Sequence, residues 1–221
     1  MKKHLKSWWY RPPIFTNFGD ELGQIFLEML GFEVERVPFA ESEILTTGSI
    51  LQRHALEPLS PGTIIWGTGW HKEPISGLPE LDIRAVRGPI TANALQTTGT
   101  IYGDPGLLAS HFWPAEPNSQ NEAHRVGFVR HYIDQTTEIP NTTLIETTWP
   151  PEDVCRSIAE CEVIISSSLH GCIVAASYGI PFMRLPHNQV AGGDTKWIDF
   201  TSSLTKPIPE IQKDLIKAIR L

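Results

Sequence analysis

The chain has 221 residues, a hydrophobic content of 41%, and 25 acidic against 18 basic side chains, for a formal net charge of −7. That length supports one large or two small domains with a sizeable core. The acidic balance excludes a general nucleic-acid or anionic-membrane surface, so an anionic ligand would need a local cluster of Arg and His.

In chain order, Asn17-Phe18-Gly19-Asp20-Glu21 leads into a predicted helix over residues 24–30, with Asp20 as its N-cap and Gly31 as the glycine past its end. Short strands are expected over 33–37 and 44–46, and a helix-like piece over 49–56. The run Thr63-Ile64-Ile65-Trp66 is a strand that passes directly into Gly67-Thr68-Gly69, as a ligand-facing glycine loop would. A strand over 82–86 is followed by the turn Arg87-Gly88-Pro89, a helix over 90–96 and a strand over 100–102 that ends in Gly103-Asp104-Pro105. Strand, loop, helix and strand in that order imply parallel crossovers.

Between residues 111 and 124 the composition shifts to Pro, Asn, Ser, Gln and Glu, which predicts a linker and two domains, 1–115 and 116–221. The second half opens with a strand over 125–129 that ends in Arg130-His131, then a strand over 143–146 and a helix over 151–159. A strand over 182–185 and an amphipathic helix from Pro209 through Ile219 complete the chain, the last helix expected to pack back on the first half.

The most informative stretch is Val163-Ile164-Ile165-Ser166-Ser167-Ser168-Leu169-His170-Gly171, followed by small and apolar residues up to Gly179-Ile180-Pro181. It predicts a buried strand, a tight polar loop and a helix. Hydroxyls, an imidazole and free helix N–H groups then share the carboxyl edge of a parallel sheet, where an anionic ligand fits.

Cys155, Cys161 and Cys172 are odd in number and show no paired Cys-x-x-Cys spacing, so they are expected as buried thiols, and no metal is called for. No apolar run reaches the roughly eighteen residues of a membrane span. The basic, aromatic start lacks a signal-peptide core, so a cytoplasmic location is expected.

In sequence order the strand-end motifs are Asn17 to Glu21, Gly67-Thr68-Gly69, Arg87-Gly88-Pro89, Gly103-Asp104-Pro105, Arg130-His131 and Ser166 to Gly171. This series resembles the polysaccharide pyruvyl transferase family over about the whole chain. The serine-leucine-histidine-glycine stretch before Tyr178-Gly179-Ile180-Pro181 is the most specific element. The sequence departs from the pattern at Arg130, where a proline often precedes the histidine, and at Ser168, where an arginine is often found.

The resemblance implies an α/β fold with two Rossmann-like halves in a GT-B-like arrangement. It also implies transfer of the pyruvyl group of phosphoenolpyruvate onto a saccharide or lipid-linked saccharide, with the donor as the small molecule bound and no separate cofactor. Peripheral association with a membrane is compatible with such an acceptor. A nucleotide-sugar glycosyltransferase of GT-B type and a non-catalytic member that binds an anionic sugar are the alternative readings.

The donor carries a carboxylate and a phosphate, suited to Arg forks and helix N-termini. Ketal formation needs a proton at the donor methylene and a base for the sugar hydroxyl. The resemblance therefore implies His170 as catalytic acid or phosphate contact, the alternative being a loop histidine that caps the next helix. Asp20 is a candidate base or, alternatively, a helix cap. Arg87, His131, Ser167 and Ser168 are candidate donor contacts, and Gly67 and Gly69 would permit close backbone approach to the donor. For Arg87 and His131 a surface or solvated-loop role is the alternative.

Overall fold

A computed structural model describes residues 2–11, 13–51, 59–71, 79–116, 125–135, 138–186 and 193–220. The helix-like reading at 52–56 and the linker reading at 117–124 lie outside these residues. Among the described residues ten strands form two sheets, and every pairing is parallel.

The first sheet contains β1 (His4–Ser7), β2 (Glu33–Arg36), β3 (Ile44–Leu45), β4 (Ile64–Trp66), β5 (Asp82–Val86) and β6 (Ile101–Tyr102), in the order β2-β1-β3-β4-β5-β6. The second contains β7 (Val126–Arg130), β8 (Thr143–Glu146), β9 (Val163–Ser166) and β10 (Phe182–Arg184), in the order β10-β9-β7-β8. The helices are α1 (Phe18–Met29), α2 (Pro89–Ala94), α3 (Ala109–Phe112), α4 (Pro151–Ala159), α5 (Leu169–Ser177), α6 (Thr195–Thr201) and α7 (Ile208–Arg220). The protein is an α/β fold of two halves. One unit is formed by Met1–Tyr10, Asp20–Pro105 and Gly192–Leu221, the other by Arg11–Gly19 and Gly106–Ala191.

In the first unit, α1 ends as a Schellman turn. The Gly31 N–H donates to the Glu28 carbonyl at 3.0 Å, the Phe32 N–H to Leu27 at 3.1 Å, and Gly31 holds a left-handed φ of 97°. A core of Leu45, Leu51, Leu59, Ile65 and Val86 lies at the middle strands. The amphipathic α7 packs on β4, β5 and β6, burying Ile211, Leu215 and Ile219. Trp66 Nε1 donates to the Leu215 carbonyl at 2.9 Å, which satisfies the indole inside the core.

In the second unit, α5 is buried along its whole length, from Leu169 to Ser177. An all-round apolar and small-residue helix is stable only when surrounded. The Ser110 N–H donates to Ser177 Oγ at 2.7 Å, and Tyr178 Oη donates to the Trp113 carbonyl at 2.7 Å, so polar groups at its C-terminal end are satisfied by the chain around α3.

All three thiols are buried. Burial pushes the Cys172 thiol up to about 12 and raises those of Cys155 and Cys161 as well. Iodoacetamide at pH 8 is therefore expected to leave the native protein unlabelled and to take all three cysteines once it is unfolded in urea. Rapid labelling of the folded protein, followed by mass spectrometry, would show instead that an exposed thiolate is present.

Candidate functional site

A parallel sheet leaves a crevice at the carboxyl ends of two adjacent strands whose chains depart in opposite directions. In the second sheet the chain runs from β7 to β8 on one side and places β9 and β10 on the other, so the crevice falls between β7 and β9. β7 ends at Arg130 and is followed by His131, and β9 is followed by Ser167-Ser168.

The loops are tied together across that point. The His131 N–H donates to Ser167 Oγ at 3.0 Å, and the Ser167 N–H donates to the Val129 carbonyl at 3.2 Å. Ser166 Oγ lies within 3.0 Å of the Val129 carbonyl and 2.8 Å of the Ser168 carbonyl, and it accepts from the Ser168 N–H at 3.0 Å. Ser166 is therefore the residue that shapes the turn, while Ser167 joins it to the β7 loop.

Ser168 is the N-cap of α5 by backbone conformation, with φ −98° and ψ 129°, and makes no side-chain cap bond. His170 lies in the first turn of α5, inside the helix rather than capping it, and is 8% exposed. The opening of α1 encloses it. A Cβ on Gly19 would overlap Nδ1 and Cγ of His170 and lie 2.6 Å from its Cβ. Only glycine permits that approach.

The Phe18 ring stands edge-on to the imidazole, with centroids 6.3 Å apart at 76°. The Phe18 N–H donates to the Thr147 carbonyl at 2.9 Å, which fixes the entry to α1 against the end of β8. Backbone N–H groups in the first turn of α5 carry the positive end of the helix dipole, so His170 stands where anionic charge is favoured.

His131 has a defined tautomer. Its Nδ1 accepts the Ile133 N–H at 3.3 Å, so the neutral ring carries its proton on Nε2. Its ring stacks on Tyr132 with centroids 4.4 Å apart at 30°. Beside it, Arg130 and Glu146, register partners at the ends of β7 and β8, form a two-point ion pair, with Nε to Oε2 at 3.2 Å.

The first unit places the other candidates. Its topological switch lies between β1 and β3, and the loop after β3 meets α1: Thr47 Oγ1 donates to the Asp20 carbonyl at 3.1 Å. Because α1 begins at Phe18, Asp20 is its third residue and not the expected N-cap, and Gln24 Nε2 donates to its carbonyl at 3.0 Å. The half-buried side chain stands beside Gly48, where a Cβ would lie 3.3 Å from Asp20 Oδ1.

Arg87 is 1% exposed and engaged by protein groups on every nitrogen: Nε to Asp199 Oδ2 at 3.1 Å, Nη1 to Ser49 Oγ at 2.7 Å and Nη2 to the Trp70 carbonyl at 3.3 Å. Burial lowers its pKa, an effect opposed by the nearby Asp199 and Asp104 carboxylates. Asp199, on α6, also accepts from Ile90 N–H at 2.8 Å, Thr91 N–H at 3.0 Å and Thr91 Oγ1 at 2.6 Å. One carboxylate thus holds the cation and supplies the start of α2.

Gly69 makes room for that guanidinium, since a Cβ there would overlap it. Gly67, with φ 89°, makes room for Pro105, whose Cγ would lie 2.9 Å from a Cβ. Both glycines are required by contacts inside the first unit. His170, His131, Ser167 and Ser168 are brought together in the second unit; Arg87, Gly67 and Gly69 share the first unit with Asp20.

Sequence reasoning did not select Gly19, Glu146 or Asp199. Gly19 stands in the quoted motif, and its lack of a side chain was the available signal. Asp199 lies in a short helix whose apolar residues are Trp197, Ile198 and Phe200, and pairing with Arg87 over 112 positions leaves no sequence signal.

The family model for polysaccharide pyruvyl transferase matches residues 6–189. The chain is 26% identical over 201 residues to the succinoglycan biosynthesis protein ExoV of Rhizobium meliloti (strain 1021), covering 85% of this chain and 61% of that protein. It is 28% identical over 161 residues to the uncharacterized protein L143 of Acanthamoeba polyphaga mimivirus, covering 63% of this chain and 54% of that one. The chain thus spans about three fifths of one relative and just over half of the other. The match runs through both sheets and every loop of the β7–β9 crevice, and the chain belongs to the polysaccharide pyruvyl transferase family.

Proposed function

We propose that the protein transfers the pyruvyl group of phosphoenolpyruvate onto a pair of saccharide hydroxyls, forming a ketal, in the assembly of an exopolysaccharide or cell-surface polysaccharide. The observation that carries this reading is the buried His170 imidazole in the first turn of α5, backed by Gly19 and set at the β7–β9 crevice. Family membership and the likeness to a succinoglycan biosynthesis protein support it.

His170 protonates the donor methylene, which becomes a methyl group and leaves cationic character at the adjacent carbon. One sugar hydroxyl adds there and gives up its proton. The second hydroxyl then displaces phosphate and also gives up its proton, so one donor and one diol yield one ketal and one inorganic phosphate. N–H groups at the start of α5 and the His131 Nε2–H stabilise the carboxylate and the departing phosphate. Ser167 and Ser168 contribute through the loop that holds these donors. One of the two released protons returns to His170 and the other leaves with the phosphate.

No cofactor beyond the donor is required by this chemistry. The acceptor is a saccharide, proposed to be lipid-linked and met at the cytoplasmic face by peripheral association. No helix among the described residues is long and apolar enough to cross a membrane.

Thermal unfolding tests the reading. Phosphoenolpyruvate at a hundredfold its Kd should raise stability by about 2.7 kcal/mol, and a uridine-diphosphate sugar should raise it by nothing measurable. Protection by the nucleotide sugar alone would favour the glycosyltransferase reading.

A further inference from the structure

Three rings stand together at the carboxyl edge of the second sheet. Tyr132 contacts Phe15 with centroids 4.7 Å apart at 45° and His131 with centroids 4.4 Å apart at 30°. All three are half-buried. Phe15 comes from the loop that precedes α1, while His131 and Tyr132 follow β7 directly.

We infer that the Phe15–Tyr132–His131 stack is the subsite for one pyranose ring of the acceptor. The inference rests on the pyruvyl transferase reading and names which part of the site receives the sugar.

A pyranose has an apolar face of axial C–H groups and a rim of hydroxyls, so its receptor needs an aromatic surface with polar groups at the border. The stack has that division. The rings supply the apolar surface, and the Arg130–Glu146 pair closes the same strand end with charged donors and acceptors. The stack is also joined to the catalytic loop through one bond, from the His131 N–H to Ser167 Oγ at 3.0 Å, three residues before His170. A sugar resting there lies at the switch-point crevice where the transfer is proposed.

A stack that merely pins the loop before α1 to β7 would have no affinity for sugars, and saturation-transfer NMR separates the two roles. The probes are methyl β-glucopyranoside and methyl β-galactopyranoside, with uridine as the comparison ligand and phosphoenolpyruvate protection measured on the same samples. Wild type is expected to saturate the ring C–H protons of at least one glycoside. Phe15→Leu and Tyr132→Leu, which keep apolar volume and remove the ring, are expected to lower that signal at least tenfold while phosphoenolpyruvate protection persists. Tyr132→Phe should restore it.

No glycoside signal in wild type that phosphoenolpyruvate still protects overturns the sugar subsite and leaves the donor reading standing. An unchanged signal in both leucine variants overturns it too, as does saturation of uridine in place of the glycosides. Ring-dependent sugar binding without phosphoenolpyruvate protection supports the stack as a sugar site and overturns the donor reading. If a leucine variant loses its cooperative melt, Phe15→Tyr decides: full glycoside binding supports the subsite, and loss of binding in that folded variant overturns it.

Discussion

Replacing Asp199 by alanine should lower the stability of the protein by about 3–5 kcal/mol, the usual consequence of stripping a buried ion pair of one partner. Arg87 would remain at 1% exposure without its hydrogen-bonded carboxylate, leaving only the more weakly acting Asp104 nearby, and a guanidinium does not escape by deprotonating. The same substitution removes the acceptor of the Ile90 and Thr91 N–H groups, which begin α2 and have no other helix bond to make. Against a total stability of about 5–15 kcal/mol for a domain, this approaches complete unfolding.

The double substitution Arg87→Met with Asp199→Leu should recover part of the loss, because apolar groups of similar size carry no desolvation cost. Urea denaturation of the three proteins measures the effect. A loss under about 1 kcal/mol for Asp199→Ala would mean that the pair contributes little. Arg87→Ala is correspondingly a poor probe of ligand binding, since it leaves Asp199 buried with only part of its partners.

At His170 the larger effect is expected on turnover. On the proposed mechanism His170 is a positioned acid, whose removal costs about 10²–10⁴-fold in rate, so His170→Gln should all but abolish the proposed ketal formation while the protein still melts cooperatively. Gly19→Ala reaches the same group indirectly. The added methyl would overlap Nδ1 and Cγ of the imidazole and force the ring or the start of α1 to move. A displacement near 1 Å at a reacting group costs about 10²-fold, so Gly19→Ala should lower kcat by that factor with a much smaller change in donor KM. Single-turnover measurement with phosphoenolpyruvate separates the two parameters. Full activity in Gly19→Ala would show that the imidazole is not held by that contact.

Most strands were legible because a buried parallel strand reads as a short apolar run between turn residues. The strands Asp82–Val86, Thr143–Glu146 and Val163–Ser166 and the helix Pro151–Ala159 fall on the positions read from pattern and capping residues. The strand His4–Ser7 escaped notice because its exposed or partly exposed positions are His4 and Lys6, and only Leu5 gives an apolar signal. The helix Thr195–Thr201 is short and its N-cap residue, Asp194, makes no side-chain cap bond, so little marks it locally, although it carries the carboxylate that anchors the first unit.

The candidate site shows the same division between local and distant information. The loop Ser166 to Gly171 could be read as a polar turn at a strand end because strand, loop and helix are contiguous in sequence. Its closure by Phe18 and Gly19 could not, since those residues lie about 150 positions away and meet His170 only through the fold. Arg87 had the appearance of a ligand-binding cation at a strand end. Its actual partners, Asp199, Ser49 and Trp70, come from three separate segments that no spacing rule connects.

Donor recognition at the loop that carries His170 is tested most directly by calorimetric titration of phosphoenolpyruvate. Wild type should release or absorb heat with a one-to-one endpoint, His170→Gln should still bind the donor because the α5 N–H groups rather than the imidazole hold its anionic groups, and a uridine-diphosphate sugar should give no heat. Binding of the nucleotide sugar to a wild-type protein that ignores phosphoenolpyruvate would contradict it.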